Sequence, residues 1–275
     1  MVRRQDQDWV PAGIDTMTPS SARTYDFLLG GAHNFEADRA AAAHAEKIMP
    51  GIRDVARLNR AFLHRTVQFM MAEGIRQFLD IGSGIPTGGN VHQVAEGIDP
   101  DCRVLYVDRD PIAVAHSELL LAANDRAAIV HADFGDPERI FSSPEARRLL
   151  NLDEPVGVLM VALLHWIPDE YGLPALLAEY RARVPAGSYL AISHLTSEQQ
   201  TGEIDSAVSM FNRAKGRDQA TTRTYREVRA MFGDFELVEP GLVGCALWRP
   251  AGRGDVSDNP EANAQLYGGV AKKVR

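Results

Sequence analysis

The chain has 275 residues, a formal net charge of −8 and 45% hydrophobic residues. That length suffices for one α/β domain with a sizeable core plus extra helices. The acidic balance argues against general nucleic-acid binding, which needs Lys and Arg to neutralise phosphates, and no stretch approaches the ~18–20 apolar residues of a membrane span. Residues 1–9 are polar and lack the apolar run of a secretory signal. Cys102 and Cys245 each precede an apolar, strand-like run. They read as buried small hydrophobes rather than a disulfide or metal pair, and reduced thiols fit a cytoplasmic chain.

Residues 1–20 are loop-like, broken by Pro11, Gly13 and Pro19. Ser20 or Ser21 caps a helix that runs to Leu29 and stops at Gly30-Gly31. An alanine-rich helix at about 36–48 ends at Pro50-Gly51. A third, at about 52–71, places Val55, Leu58, Phe62 and Val67 at helical spacing. Residues 1–75 thus form an N-terminal helical segment. From there strands and helices alternate. Strands are expected at about 77–81, 103–107, 127–131, 156–161 and 188–193, with helices at 88–97, 111–121, 137–141, 144–150 and 173–184 between them. The continuous apolar run 156–161 reads as a fully buried parallel strand. Helices at 203–215 and 222–232 follow, then a strand pair at 235–238 and 242–248 around Pro240-Gly241. The expected fold is α/β and Rossmann-like over 76–250. Its seven-stranded sheet is mostly parallel, with an antiparallel hairpin at one edge. Residues 251–275, rich in Gly, Asp and Asn, read as a tail.

The chemistry gathers at strand ends. An apolar strand closes on Asp80 and enters the turn Gly82-Ser83-Gly84. Glycine lets a backbone take φ > 0 and lets a ligand approach closely, and a strand–turn–helix corner of this kind binds nucleotides. The N–H groups around Gly82 to Gly84 are expected to face the ligand. The third glycine of a dinucleotide fingerprint is missing, since position 87 is Thr. Substituting Gly82 by Val is expected to block binding while the protein stays folded.

The second strand ends in Asp108-Arg109-Asp110. Asp108 sits where a carboxylate accepts ribose hydroxyls, roughly 20–25 residues past the turn. Arg109 is either solvent-exposed or on the adenine face, and Asp110 before Pro111 reads as a helix cap. Asp133 and Phe134 follow the third strand. They can meet an adenine amine and ring, or Asp133 can make an Asx-turn. After the fourth strand comes Ala162-Leu163-Leu164-His165-Trp166. His165 is the candidate general base, or a satisfied structural histidine. Trp166 is a pocket wall or core, and His194 after the fifth strand carries the same ambiguity.

The block Ser20-Ser21-Ala22-Arg23-Thr24-Tyr25-Asp26-Phe27-Leu28-Leu29-Gly30-Gly31-Ala32-His33-Asn34-Phe35-Glu36-Ala37-Asp38, the turn at 78–87 and the stretch 225–238 with Gly241-Leu242 carry a family resemblance. Together they resemble the bacterial DUF574, or S-adenosyl methyltransferase, family of class I methyltransferases. The likeness spans nearly the whole chain, from about Ser20 to the tail. It implies S-adenosylmethionine, or its product S-adenosylhomocysteine, as cofactor. The methionine carboxylate would lie near Gly82, Ser83 and Gly84, the ribose at Asp108 and the adenine at Asp133. Tyr25 and Asn34 would fold over the methionyl end, and the N-terminal helices would act as a lid excluding water. A Pro at position 86 fits this family. The acceptor would be a small molecule of unidentified structure. No motif names it, and none speaks for nucleic acid, membrane or a given oligomeric state. A binding module that holds the adenosyl ligand without methyl transfer remains the alternative, and a nicotinamide oxidoreductase is disfavoured by the missing glycine.

Overall fold

The structure, a computed structural model, describes residues 14–196 and 218–275, together with 198, 209 and 212. The expected helix at 203–215 lies outside the described residues apart from 209 and 212. Three helices, α1 (Ser21–Leu28), α2 (Glu36–Ile48) and α3 (Ile52–Ala72), precede the first strand. Ser20 caps α1 through its side chain, as a β-region serine before a helix does.

The alternating segment folds as β1 (Gln77–Ile81), α4 (Val91–Glu96), β2 (Arg103–Asp108), α5 (Pro111–Leu121), β3 (Ala127–His131), α6 (Pro137–Ser142), α7 (Pro144–Leu149), β4 (Gly157–Val161), α8 (Leu173–Arg183) and β5 (Tyr189–Leu195). These five strands are parallel. Then come α9 (Tyr225–Met231), β6 (Glu236–Leu237), β7 (Val243–Gly244), α10 (Pro260–Ala264) and β8 (Leu266–Lys272). The order across the sheet is β3-β2-β1-β4-β5-β8-β6, with β7 also on β8. Strand order reverses beside β1, and such a point opens a crevice at the carboxyl ends of the strands.

Alternate residues of each strand feed opposite cores. Leu79, Leu105, Met160 and Ile192 pack against α6 to α9. Phe78, Val104, Leu159 and Ala191 pack against α3 to α5. Helix α3 is therefore a core layer, with Phe62, Val67 and Met70 fully buried. Arg65 on α3 ties the C-terminal segment down. Its Nε and Nη2 donate to the carbonyls of Trp248 (2.8 Å) and Cys245 (2.7 Å), and its Nη1 pairs with Asp255 at 2.8 Å.

Two expectations at the C-terminus need correction. The sheet has eight strands, and residues 235–248 form no hairpin. Leu237 pairs with Ala271 and Val243 with Gly268, so β6 and β7 are two pieces of one interrupted edge beside β8. Proline 240, which cannot donate to a ladder, and Gly241 at φ +87° loop out between them. The supposed tail carries β8, which runs antiparallel to β5 from Tyr189↔Lys272 to Leu195↔Leu266. Glycines 268 and 269 hide this strand by lowering its propensity. A Cβ at Gly268 would lie 2.9 Å from both Cys245 and Phe62 side chains, so the close approach of neighbours demands glycine there. Both cysteines are buried and free. Among the described residues, no helix is long and apolar enough to cross a membrane.

Candidate functional site

A cavity of about 740 Å³ runs over the carboxyl ends of β1 to β5 and the start of β8. Residues 14–25, α2 and the first half of α3 form its other wall. Its volume suits a small-molecule site, for which roughly 300–1,000 Å³ is usual. Every candidate residue named from the sequence lines it except Asn34 and His194.

The turn after β1 is built differently from expectation. Its N–H groups are committed within the chain rather than offered to a ligand. Those of Gly82 and Ser83 donate to the Val107 carbonyl (2.8 and 3.1 Å), and that of Gly84 donates to Asp108 Oδ2 at 2.7 Å. Gly82 has φ +70° and an added Cβ would sit 2.6 Å from Leu163 Cδ1. Gly82→Val would therefore strain the turn and strike the β4 loop, which corrects the expectation of an undisturbed fold. Gly84 (φ +68°) has nothing within 4 Å of such a Cβ, so the open approach to the backbone is there.

Asp80 and Asp108 end adjacent strands and are 5% and 7% exposed. Burial pushes the Asp80 carboxyl up to about 7, with Asp108 adding repulsion and Arg60 opposing it. Among the described residues no group donates a hydrogen bond to Asp80. Asp108 is pushed up to about 6, chiefly by burial, although the N–H groups of Asp110 and Gly84 hold its charged form. Two buried, undercompensated carboxylates facing one cavity invite a ligand that brings donors or positive charge.

Arg109 bridges Asp133 (3.3 Å) and Asp218, and both carboxylates raise its pKa against the effect of burial. Asp133 also accepts from the Gly135 N–H at 2.8 Å, so the Asx-turn is present. Phe134 is buried and stacks on Tyr180 with centroids 5.2 Å apart. Asp218 fastens α1 by accepting from the Ser21 N–H at 2.7 Å, and Ser20 Oγ donates to Asp110 at 2.5 Å. Asp110 also caps α5.

At the β4 end Ala162 takes φ +57°, a left-handed conformation unusual for alanine. A chain of bonds holds it. Its N–H donates to Ser193 Oγ (2.8 Å), Ser193 donates to Asn59 Oδ1 (2.6 Å), Asn59 Nδ2 donates to Tyr25 Oη (2.9 Å), and Tyr25 donates to the Ala56 carbonyl (3.0 Å). Tyr25 thus turns its ring, not a free hydroxyl, toward the cavity. Asn34 is spent inside the α1–α2 turn, donating to Asp26 (2.8 Å) and the Gly31 carbonyl (3.0 Å). It does not reach the cavity, which corrects its expected role.

His165 is 4% exposed, and its Nδ1 has no partner. Burial, then His194 and Arg223, hold its pKa well below the usual histidine range, so the ring is neutral. His194 is structural rather than a pocket residue. Arg223 can only donate, so His194 Nε2 accepts from it at 2.8 Å and Nδ1–H donates to the Leu195 carbonyl at 2.7 Å. Burial drives its pKa down to about 3.

Sequence reading missed Arg60, Asn59, Ser193 and Asp218. Arg60 lines the cavity beside Asp80, donates to the Gly88 carbonyl (3.1 Å) and Asn90 (3.0 Å), and leaves its Nε buried without a partner. On a helix, an Arg directly after Leu58 and Asn59 gives no signal that sets it apart from a solvated face.

A doubly wound sheet with an inserted antiparallel strand, and a carboxyl-end cleft carrying acids after β1, β2 and β3, defines a Rossmann-like class I methyltransferase fold. The residues fit an adenosyl amino-acid ligand: open backbone at Gly84, a carboxylate for ribose hydroxyls, and a carboxylate–guanidinium pair suited to an amino acid. Residues 7–274 match the family model described as S-adenosyl methyltransferase, and the chain belongs to that family. Its cofactor is S-adenosylmethionine, or S-adenosylhomocysteine after transfer, and its activity is S-adenosylmethionine-dependent methyl transfer. A candidate methyltransferase of Thermobifida fusca YX is 39% identical, with 97% of this chain and 99% of that one covered and a TM-score of 0.89. A DUF574 family protein of Streptomyces avermitilis MA-4680 is 35% identical over 94% and 99%, also at TM-score 0.89. The S-adenosylmethionine-dependent methyltransferase SibL shares the fold alone, at 17% identity and TM-score 0.52, covering 94% of this chain and 64% of that one. No functionally curated protein matches the chain.

Proposed function

We propose that the chain methylates a small-molecule acceptor at a nitrogen or oxygen by aligning it and excluding water, without a strong protein base. The supporting observation is His165, the candidate base. It lines the cavity, is buried, and is held neutral with its pKa well below the usual range. Such a ring orients an acceptor by hydrogen bonding but holds a proton poorly. The cofactor supplies an already activated sulfonium methyl group, so alignment is the main demand on the protein.

In this reading Asp108 takes the ribose hydroxyls, and Asp133 with Phe134 borders the adenine. Asp80 takes the α-ammonium and Arg60 the α-carboxylate. The buried Arg60 Nε and the unpaired Asp80 carboxylate support this pairing, since charge-assisted bonds there relieve two desolvated groups. Gly82 and Ser83 shape the turn, while Gly84 leaves room for the ligand. Residues 14–25 with α1 and α2 form the lid, fastened through Ser21–Asp218–Arg109, and Tyr25 covers the methionyl end. Ala162 and Trp166 wall the acceptor side.

The test is release of S-adenosylhomocysteine from S-adenosylmethionine in the presence of a small-molecule library and, separately, of DNA, tRNA and peptide pools. Turnover with small molecules is expected. Turnover with macromolecular pools alone overturns the proposal. His165→Phe should raise the acceptor KM while leaving S-adenosylhomocysteine affinity unchanged.

A further inference from the structure

The cavity spans six strand ends, β3 to β8, which at ~4.8 Å per strand is about 24 Å. Its charge is distributed unevenly along that length. Asp80, Asp108, Arg109 and Asp133 stand at or just past the ends of β1, β2 and β3, and Arg60 reaches toward Asp80 from α3. Arg139 follows on α6, and Arg23, with Asp15 bonded to it, Asp110 and Asp218 are bonded to that same half. Across the β4, β5 and β8 ends the described lining carries no Asp, Glu, Lys or Arg. There the floor is Leu163, Leu195 and Leu266, and the opposite wall is Met49, Ile52 and Val55. Helix α3, which carries Val55, packs on β4, β5 and β8 and so covers this half.

The polar groups of that half are also mutually satisfied. The Ala162 N–H, Ser193, Asn59 and Tyr25 pair with one another in a closed chain ending on the Ala56 carbonyl. His165, held neutral, and the Trp166 indole are the further polar groups at these strand ends among the described residues, and neither carries a charge. A charged ligand placed here would lose its water and meet no charged group of the described lining, because Arg223 behind His165 is already bonded to Asp169 and to the Leu164 and Ile167 carbonyls. That is costly, whereas apolar surface gains about 25 cal/mol per Å² buried.

We infer that the methyl acceptor is an uncharged, predominantly apolar small molecule, seated over β4, β5 and β8. The inference rests on the methyl-transfer reading of the same cavity. The acceptor half selects against carboxylates, phosphates and ammonium groups, and it discriminates by apolar shape.

Three probes of one shape test this: 2-naphthol, 2-naphthoate and 2-naphthylmethylammonium, titrated calorimetrically into protein saturated with S-adenosylhomocysteine. The neutral probe is expected to bind about tenfold or more tightly than either ion. Val55→Phe, which fills this half, should abolish naphthol binding and keep S-adenosylhomocysteine binding; Met49→Trp serves should V55F not fold. Equal or tighter binding of a charged probe overturns the inference, as does no binding of any probe, while the cofactor reading stands on its own titration. Failure of S-adenosylhomocysteine to bind strikes the cofactor reading instead, and the same probe series on the ligand-free protein still decides the chemistry of this half.

Discussion

Asp80 makes cofactor binding proton-linked. In the free protein its carboxyl is pushed up to about 7 by burial, beside Asp108 and with only Arg60 opposing. A ligand α-ammonium on Asp80 stabilises the charged form and returns its pKa to the ordinary carboxylate range or below. Binding therefore expels a proton wherever free Asp80 is protonated, below about pH 7. From pH 7 to pH 5 the affinity should fall tenfold per unit, about 100-fold in all from this group. Asp108, pushed up to about 6, steepens the fall below that pH. Isothermal titration with S-adenosylhomocysteine from pH 5 to 8, in buffers of differing ionisation enthalpy, reads both the affinity and the protons released, about one per ligand from Asp80 near pH 5.5 with Asp108 adding to it. Asp80→Asn should weaken binding at pH 8 and flatten the profile between pH 8 and 6. The same shift acts on the free fold with the opposite sense. The folded state holds the extra proton between about pH 4 and 7, so Asp80 lowers stability as pH rises through that window, by at most about 4 kcal/mol. D80N removes that loss. A wild-type affinity flat from pH 8 to 5, or a slope that D80N retains, refutes the reasoning.

Arg60→Met should weaken S-adenosylhomocysteine binding about 10- to 100-fold, the worth of a charge-assisted pair. Binding of 5′-methylthioadenosine, which lacks the amino-acid group, should not change, and equal losses for both ligands would remove Arg60 from the carboxylate site. Thermal denaturation should show Gly84→Ala costing about 1–2 kcal/mol for its left-handed backbone. Gly82→Ala should cost more, because its Cβ would also lie 2.6 Å from Leu163; equal losses would refute the clash. Ser193→Ala should destabilise the fold by about 2–3 kcal/mol, since it strands the Ala162 N–H and Asn59 Oδ1. A loss under about 0.5 kcal/mol would mean that water replaces the hydroxyl.

The acids after β1, β2 and β3 were legible because strand ends in a parallel α/β sheet face one crevice, so position along the chain translates into position at the site. Arg60 and Ser193 were not legible. One lies mid-helix and one in a buried strand, and only packing turns them toward Asp80 and Ala162. Asn34 misled because a polar side chain beside a glycine pair can cap its own turn as readily as meet a ligand, and Asp26 claimed it.

The sequence by itself determined the helices before β1, the five parallel strands and the acidic turn, because apolar periodicity, caps and glycines act over a few residues. The tertiary structure alone decided that 266–272 is a strand, since Gly268 and Gly269 weaken its local signal while β5 supplies its ladder. It also decided that the N–H groups of Gly82, Ser83 and Gly84 are committed within the chain, because Val107 and Asp108 come from another strand. The division of the cavity into a charged and an apolar half is likewise tertiary: the order β3-β2-β1-β4-β5-β8 is a property of strand pairing, and chain order does not contain it.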